Sequence, residues 1–388
     1  MKRIIFYSGL VAKMCEWFKS GSIMVWLLML FAGCGTGYQP QPEVTEEVGA
    51  EISSAQFKQQ LDEVLEFTYS ERYLDTENHA AWQILHGALT YQRDFLVRYK
   101  GEMISAVDFV LGGGHIKGWT FERGEHGPRA ILEEGTKTGQ GHADQWFAVM
   151  AQSELAGEQP IEIHGELFSM SDWVAQVQFD LPRNVLQEYS WTLIGLTSYL
   201  PTSARWTAGD GKSWNIERLM AIELDQDLNS SACGGTHRLI GLSMALNQHL
   251  AQGGELEGVW QQADEKIKEA MALARRYQNS DGGFSSRYFN RPGISPDLAN
   301  SLGTTGHVLE FLAISMTAEQ LNERWMQRAV VYLCDLFRKT EAYDLECGAL
   351  YHAAHGLALY RQRVFGKRNY RKLGIATTAS NPSTPSRK

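Results

Sequence analysis

Cys233 and His237 are separated by three residues in "ACGGTHRLIGL", and Cys347 and His352 by four in "ECGALYHAAHGL". Thiolate sulfur and imidazole nitrogen are the ligands zinc takes in tetrahedral sites. Cys233, Cys347, His237 and His352 are therefore the candidate metal ligands, and zinc is the metal that suits them. The two segments share a further feature: each histidine stands four residues before a Gly-Leu pair, Gly241-Leu242 or Gly356-Leu357.

The same offset recurs along the chain. His307 precedes Phe311, His142 precedes Trp146, Trp191 precedes Gly195 and Gln83 precedes Gly87. The recurrence predicts a ring made of Gln83, His142, Trp191, His237, His307 and His352, each in the first turn of a helix. A helix N-terminus disfavours imidazolium, so such histidines would be neutral and fit to act as general bases or ligands. The same placement would lower the thiol pKa of Cys233 and Cys347.

Asp144, Glu188, Glu310 and Glu346 fall close to the predicted helix starts. Carboxylates facing each other across a pocket could hydrolyse glycosides, with Trp119, Trp146 and Trp191 stacking a sugar. The candidate catalytic set is His142, Asp144, His237, His307, His352 and Glu346. Structural roles compete with each assignment. Histidines at helix starts bond neighbouring carbonyls, and carboxylates there serve as caps. A Cys233–Cys347 disulfide rivals metal binding, though the two helices concerned are not neighbours. His355, like His86, directly precedes the glycine and is expected on a helix-packing face. Cys334 in "AVVYLCDLF" has core spacing and reads as a buried hydrophobe.

Helical patterns must position these residues. A repeat of about 50 residues suits a helical hairpin. Segments carrying the ring positions are apolar nearly all round, as for helices buried on both sides. Segments between them are amphipathic: "FKQQLDEVLEF", "EMISAVDFVL", "LFSMSDWVAQVQF", "WNIERLMAIEL", "VWQQADEKIKEAMALARRY" and "EQLNERWMQRAVVYLCDLF". Strand-like alternation is scarce. The expected fold class is all-α, an (α/α)6 toroid of six inner and six outer helices over 51–372. An open α-solenoid is the alternative.

One loop bears on that fold. Gln278-Asn279-Ser280-Asp281-Gly282-Gly283-Phe284 resembles the Q-x-x-D-G-G-[FW] turn of the terpenoid cyclase and protein prenyltransferase toroids. In that superfamily the turn joins an outer helix to the next inner one. The resemblance implies the fold. It also implies zinc held by an Asp-x-Cys, whose nearest counterpart here, Asp344-Leu-Glu-Cys347, is one residue too long. Neither D-x-D-D nor D-D-x-x-D occurs, so terpenoid cyclisation is not implied.

The N-terminus carries an address. Basic residues precede the apolar run Ile23 to Cys34, which is too short to span a bilayer and fits an export signal. It ends in "LFAGC", which resembles the bacterial lipoprotein signal and implies lipidation at Cys34. The expected division is a signal peptide at 1–33, a Pro- and Glu-rich tether at 34–50 and a disordered tail at 373–388. Met14 is an alternative start. The expected location is a bacterial cell envelope, with the membrane as partner through the lipid. A net charge of −9 argues against nucleic-acid binding. The three glycines of "LGGGHIKGW" lack the Lys-Ser/Thr of a phosphate loop. The basic run Arg361–Lys372 complements a helix dipole. The expected function is a His-rich pocket for a small-molecule or saccharide ligand, either an enzyme using metal or carboxylates or a non-catalytic binding or scaffold lipoprotein.

Overall fold

A computed structural model describes residues 53–133 and 138–371. The predicted signal, Cys34, the tether and the tail lie outside these residues. The chain divides into two units between Glu51 and Ile52, and all described residues belong to the second.

The fold is mostly helical. Six of its helices carry the apolar repeat: α2 (Ala81–Tyr91), α4 (Gln145–Gln152), α6 (Ser190–Tyr199), α8 (Thr236–Ala251), α10 (Leu298–Ser315) and α13 (Cys347–Phe365). Each packs on the next in that order, and α13 also packs on α2. The amphipathic segments form α1 (Ser54–Glu71), α3 (Ala106–Leu111), α5 (Met170–Asp180), α7 (Ile216–Leu224), α9 (Gly258–Arg276), the single turn α11 (Ala318–Leu321) and α12 (Arg324–Lys339). Burial follows the sequence pattern. α9 buries a single stripe, Trp260, Ala263, Ile267, Ala270 and Ala274, whereas α10 is buried at every position from Ser301 to Ala313.

Glycine sets how closely the apolar helices approach. An added Cβ at Gly306 of α10 would lie 2.5 Å from Ala353 Cα of α13. One at Gly356 of α13 would lie 3.0 Å from the Gly306 carbonyl oxygen. These two helices therefore meet nearly backbone to backbone. A Cβ at Gly241 of α8 would be 2.8 Å from the carbonyl oxygen of Ser190 in α6.

Strands are more frequent than the sequence reading allowed. Nine short ones are present among the described residues: β1 (Leu74–Asp75), β2 (Leu96–Tyr99), β3 (Glu102–Ser105), β4 (Trp119–Arg123), β5 (Pro128–Leu132), β6 (Pro160–Ile163), β7 (Glu166–Ser169), β8 (Arg205–Thr207) and β9 (Ser213–Asn215). Three antiparallel hairpins, β2–β3, β6–β7 and β8–β9, run directly into α3, α5 and α7. The opening residues of three predicted outer helices, 102–105, 167–169 and 214–215, are thus strand. Lys100-Gly101 and His164-Gly165 both take positive φ at the hairpin tips, the backbone a two-residue turn of this hand needs. Ser105, Ser169 and Asn215 then cap the helices, accepting from the backbone N–H of Asp108, Asp172 and Arg218.

The loop from Gln278 to Phe284 joins α9 toward α10, as expected. Gln278 Nε2 donates to the carbonyls of Gly282 (2.9 Å) and Trp325 (2.8 Å), tying the turn to the start of α12. Gly282 sits at φ +96° against the Arg328 carbonyl, where a side chain would fit neither the backbone nor the space.

Candidate functional site

The histidines of the repeat converge. The His307 and His352 rings stack with centroids 4.0 Å apart. His237 lies 5.4 Å from His307, 5.3 Å from His352 and 5.7 Å from His142. Trp191 packs on His237 at 5.0 Å, and His86 reaches His352 at 4.9 Å. His86, His237, His307, His352 and His355 are all buried.

Position within the helices differs from the expectation. His237 and Trp191 do lie in first turns, and His142 lies just before α4. His307 is ten residues into α10, because that helix begins early, at Leu298 capped by Asp297. Glu310 is therefore also deep in α10, far from its start. Gln83 is engaged by other groups. Its Oε1 accepts from Ala80 N at 2.8 Å, and its Nε2 lies 3.8 Å from Cys347 Sγ.

Hydrogen bonding orients the imidazoles in one way. His86 Nδ1 donates to the Trp82 carbonyl at 2.6 Å, and His307 Nδ1 to the Gly303 carbonyl at 2.7 Å. A carbonyl only accepts, so the proton is on Nδ1 and the lone pair on Nε2. His142 Nδ1 meets Glu188 Oε2 at 2.9 Å. His352 Nδ1 and His355 Nδ1 meet the two oxygens of Glu310, at 2.8 and 2.5 Å. His237 is the exception: neither of its ring nitrogens has a hydrogen-bond partner among the described residues.

His355 thus does not belong to a mere packing face. It shares one carboxylate with His352, because the glycine seam brings α10 and α13 together at Glu310. Burial pushes the Glu310 carboxyl up, but His352 and His355 outweigh it and hold the group well below the usual carboxylate range. Burial, followed by His352, His307 and His142, pushes His237 well below the ordinary histidine value. Burial likewise takes His86 down to about 3. For His86 and His237 the neutral form is favoured, with burial as the leading cause.

Each candidate carboxylate is engaged by neighbouring groups. Asp144 accepts from Thr192 Oγ1 at 2.5 Å, and burial raises it to about 6 against that bond. Glu188 is held by His142; burial raises it, and the histidine more than compensates, leaving it lowered. Glu346 caps α13, accepting from the N–H groups of Gly348 and Ala349. Of the aromatic candidates, Trp119 packs edge-on against Trp146 at 6.4 Å.

The cysteines separate as well. Cys233, Cys334 and Cys347 are free thiols, so the Cys233–Cys347 disulfide is not formed. Ligand atoms of Cys233, His237 and His307 lie within 4.8 Å of one another, as do those of His142, Glu188 and His237. Neither group includes Cys347 or His352: Glu310 holds His352, and Cys347 sits beside Gln83. Burial, then Glu346, raises the Cys347 thiol to about 11, overriding the helix dipole expected to lower it. Cys334 is buried as expected, and burial raises it to about 12.

Cys347 instead lines a groove of about 780 Å³ at the N-terminal ends of α2 and α13, with Arg72, Tyr73, Trp82, Gln83 and Asp344. Trp82 links it to the histidines, its ring 4.3 Å from His86. Sequence reasoning missed the shared role of Glu310 and His355, and it missed this contact of His86. The only available signal was their helical spacing from His307 and His352.

No protein-family model, curated protein or solved structure matches this chain.

Proposed function

We propose that the six successive helices are the inner layer of an (α/α)6 toroid and that the histidine cluster at its centre is an acid–base catalytic site. The unbroken succession of helix contacts, with α13 returning to α2, supports the toroid. So does the Gln278–Phe284 turn between α9 and α10, which resembles that of the cyclase and prenyltransferase toroids. Amphipathic helices lie outside this succession. The signal-like segment ending at Cys34 supports an exported, lipid-anchored protein of a bacterial envelope.

The observation that carries the catalytic reading is Glu310 held between His352 and His355. A buried carboxylate orienting an imidazole through Nδ1 leaves Nε2 as the base. His142 with Glu188 repeats the arrangement. The groove beside Trp82 admits the substrate. Its carboxylates (Glu71, Glu341, Asp344, Glu346), which outnumber Arg72, and its aromatic rings, Tyr73, Trp82 and Tyr343 among them, suit a neutral polyhydroxylated or cationic molecule better than an anion.

The test is a panel of chromogenic glycosides, esters and phosphoesters given to the full-length protein and to Glu310→Gln. General acid–base catalysis contributes about 10²–10⁴-fold. One substrate class should be turned over, with kcat reduced at least about 10²-fold in Glu310→Gln. Equal rates for the two proteins, or no turnover by either, would remove the catalytic reading.

A further inference from the structure

We propose that Cys233, His237 and His307 bind a divalent metal ion of the zinc class, with the fourth position left open. The inference rests on the histidine cluster being the functional centre, and it names a cofactor for that centre.

The donor chemistry fits. One thiolate and two imidazoles form a borderline-soft set that zinc and cobalt take in tetrahedral geometry. With bonds of about 2.0–2.3 Å, tetrahedral ligand atoms stand about 3.3–3.8 Å apart. The three groups already lie within 4.8 Å of one another, Cys233 on the turn that leads into α8 and the two histidines on α8 and α10, which are in direct contact. Small side-chain rotations close the difference.

Each ligand is also prepared. His237 is 5% exposed with both ring nitrogens unpartnered. An unpaired buried polar group is destabilising, and a metal bond would offset that at one nitrogen. His307 Nε2 is likewise unpartnered, while Nδ1 donates to Gly303. Metal-bound histidines characteristically donate their other nitrogen in this way, which fixes the ring and the tautomer.

Cys233 is held unusually. Cys233, Gly234 and Gly235 take φ of +50°, +62° and +78° in succession. Such a conformation is costly for a cysteine and persists where surrounding structure imposes it. The Tyr288 ring supplies that constraint, lying where a side chain on Gly234 would go. Cys233 is half-buried, whereas Cys334 and Cys347 are buried, so an ion can reach it from solvent. Binding would release the thiol proton to water and leave sulfur as thiolate. His142 and Glu188, each with a ligand atom within 4.8 Å of His237, would stand beside the open position.

Cobalt(II) titration of the untagged full-length protein tests this. One equivalent should produce the intense visible bands of a tetrahedral site and a thiolate-to-cobalt charge-transfer band. Cys233→Ser should remove the charge-transfer band and weaken binding at least tenfold. His237→Ala should abolish saturable binding, and Cys347→Ser should change neither. One equivalent of zinc should also slow alkylation of Cys233 in the unaltered protein, a readout that needs no variant to fold. A charge-transfer band that survives Cys233→Ser, or alkylation that zinc leaves unchanged, overturns the proposal. Turnover that depends on Glu310 in metal-free protein would retain the catalytic reading and discard the metal. A bound ion with turnover indifferent to Glu310 would do the reverse.

Discussion

Glu310 Oε2 on α10 accepts a 2.8 Å hydrogen bond from His352 Nδ1 on α13, and its other oxygen accepts from His355. Glu310→Gln leaves one imidazole facing an amide N–H₂, so a buried donor loses its partner. We expect a loss of stability of about 1–3 kcal/mol by chemical denaturation. His352→Ala should then cost less in the Glu310→Gln background than in the original protein. Equal costs in the two backgrounds would mean that the pair is not coupled.

Close approach of the apolar helices makes two glycines intolerant for reasons of space. Gly306→Ala and Gly241→Leu should each destabilise by about 1–3 kcal/mol through overpacking. Gly101 is a control of a different kind. Nothing lies within 4 Å of its Cβ direction, but its φ is +87°. Gly101→Ala should cost about 1 kcal/mol through the backbone alone. Unchanged melting of Gly306→Ala would contradict the α10–α13 contact.

Acid should act through His86. Burial depresses its pKa from 6.5 to about 3. Between those values the unfolded chain binds the proton and the folded chain does not, so stability rises with pH across that window. Going down in pH, His86 should cost about 1.4 kcal/mol per unit below 6.5 until about 3. Comparing the pH dependence of unfolding in the original protein and in His86→Asn measures this. The variant should show a shallower slope between pH 6 and pH 4, on the order of one proton fewer; an identical slope would place the acid response elsewhere.

Processing at Cys34 is open to a direct test. Cys34→Ser should abolish labelling by a fatty-acid analogue and leave an uncleaved precursor. Normal cleavage and release of the variant would exclude lipid attachment.

What was readable in the sequence was what depends on neighbours along the chain. The one-sided stripe of α9 and the all-round apolar α10 are local patterns, and each kept its meaning; the Gln278–Phe284 turn and the Cys233-His237 spacing are local patterns too. The repeat offset correctly gathered His142, His237, His307, His352 and Trp191. The hairpins were also locally encoded, in Lys100-Gly101 and His164-Gly165, but amphipathic helix periodicity masked these short turns. Glu310, His355 and His86 were misread for another reason. Their partners lie on other helices, and a glycine seam decides how far those helices approach. The Cys347 thiol failed similarly: burial, which spacing does not reveal, outweighed the helix dipole.

The contact of α13 with the beginning of the fold has a kinetic consequence. Arg361 meets Asp62 at 2.9 Å across 299 residues of sequence, and the Tyr351 hydroxyl donates to the Arg72 carbonyl across 279. Contacts so distant carry a large loop-closure cost before they give any return. Until the last helix docks, α2 and α10 expose the apolar faces that α13 covers. The slow step of folding should therefore be the arrival of the chain's end at its beginning. The species that waits for it is the one most prone to aggregate.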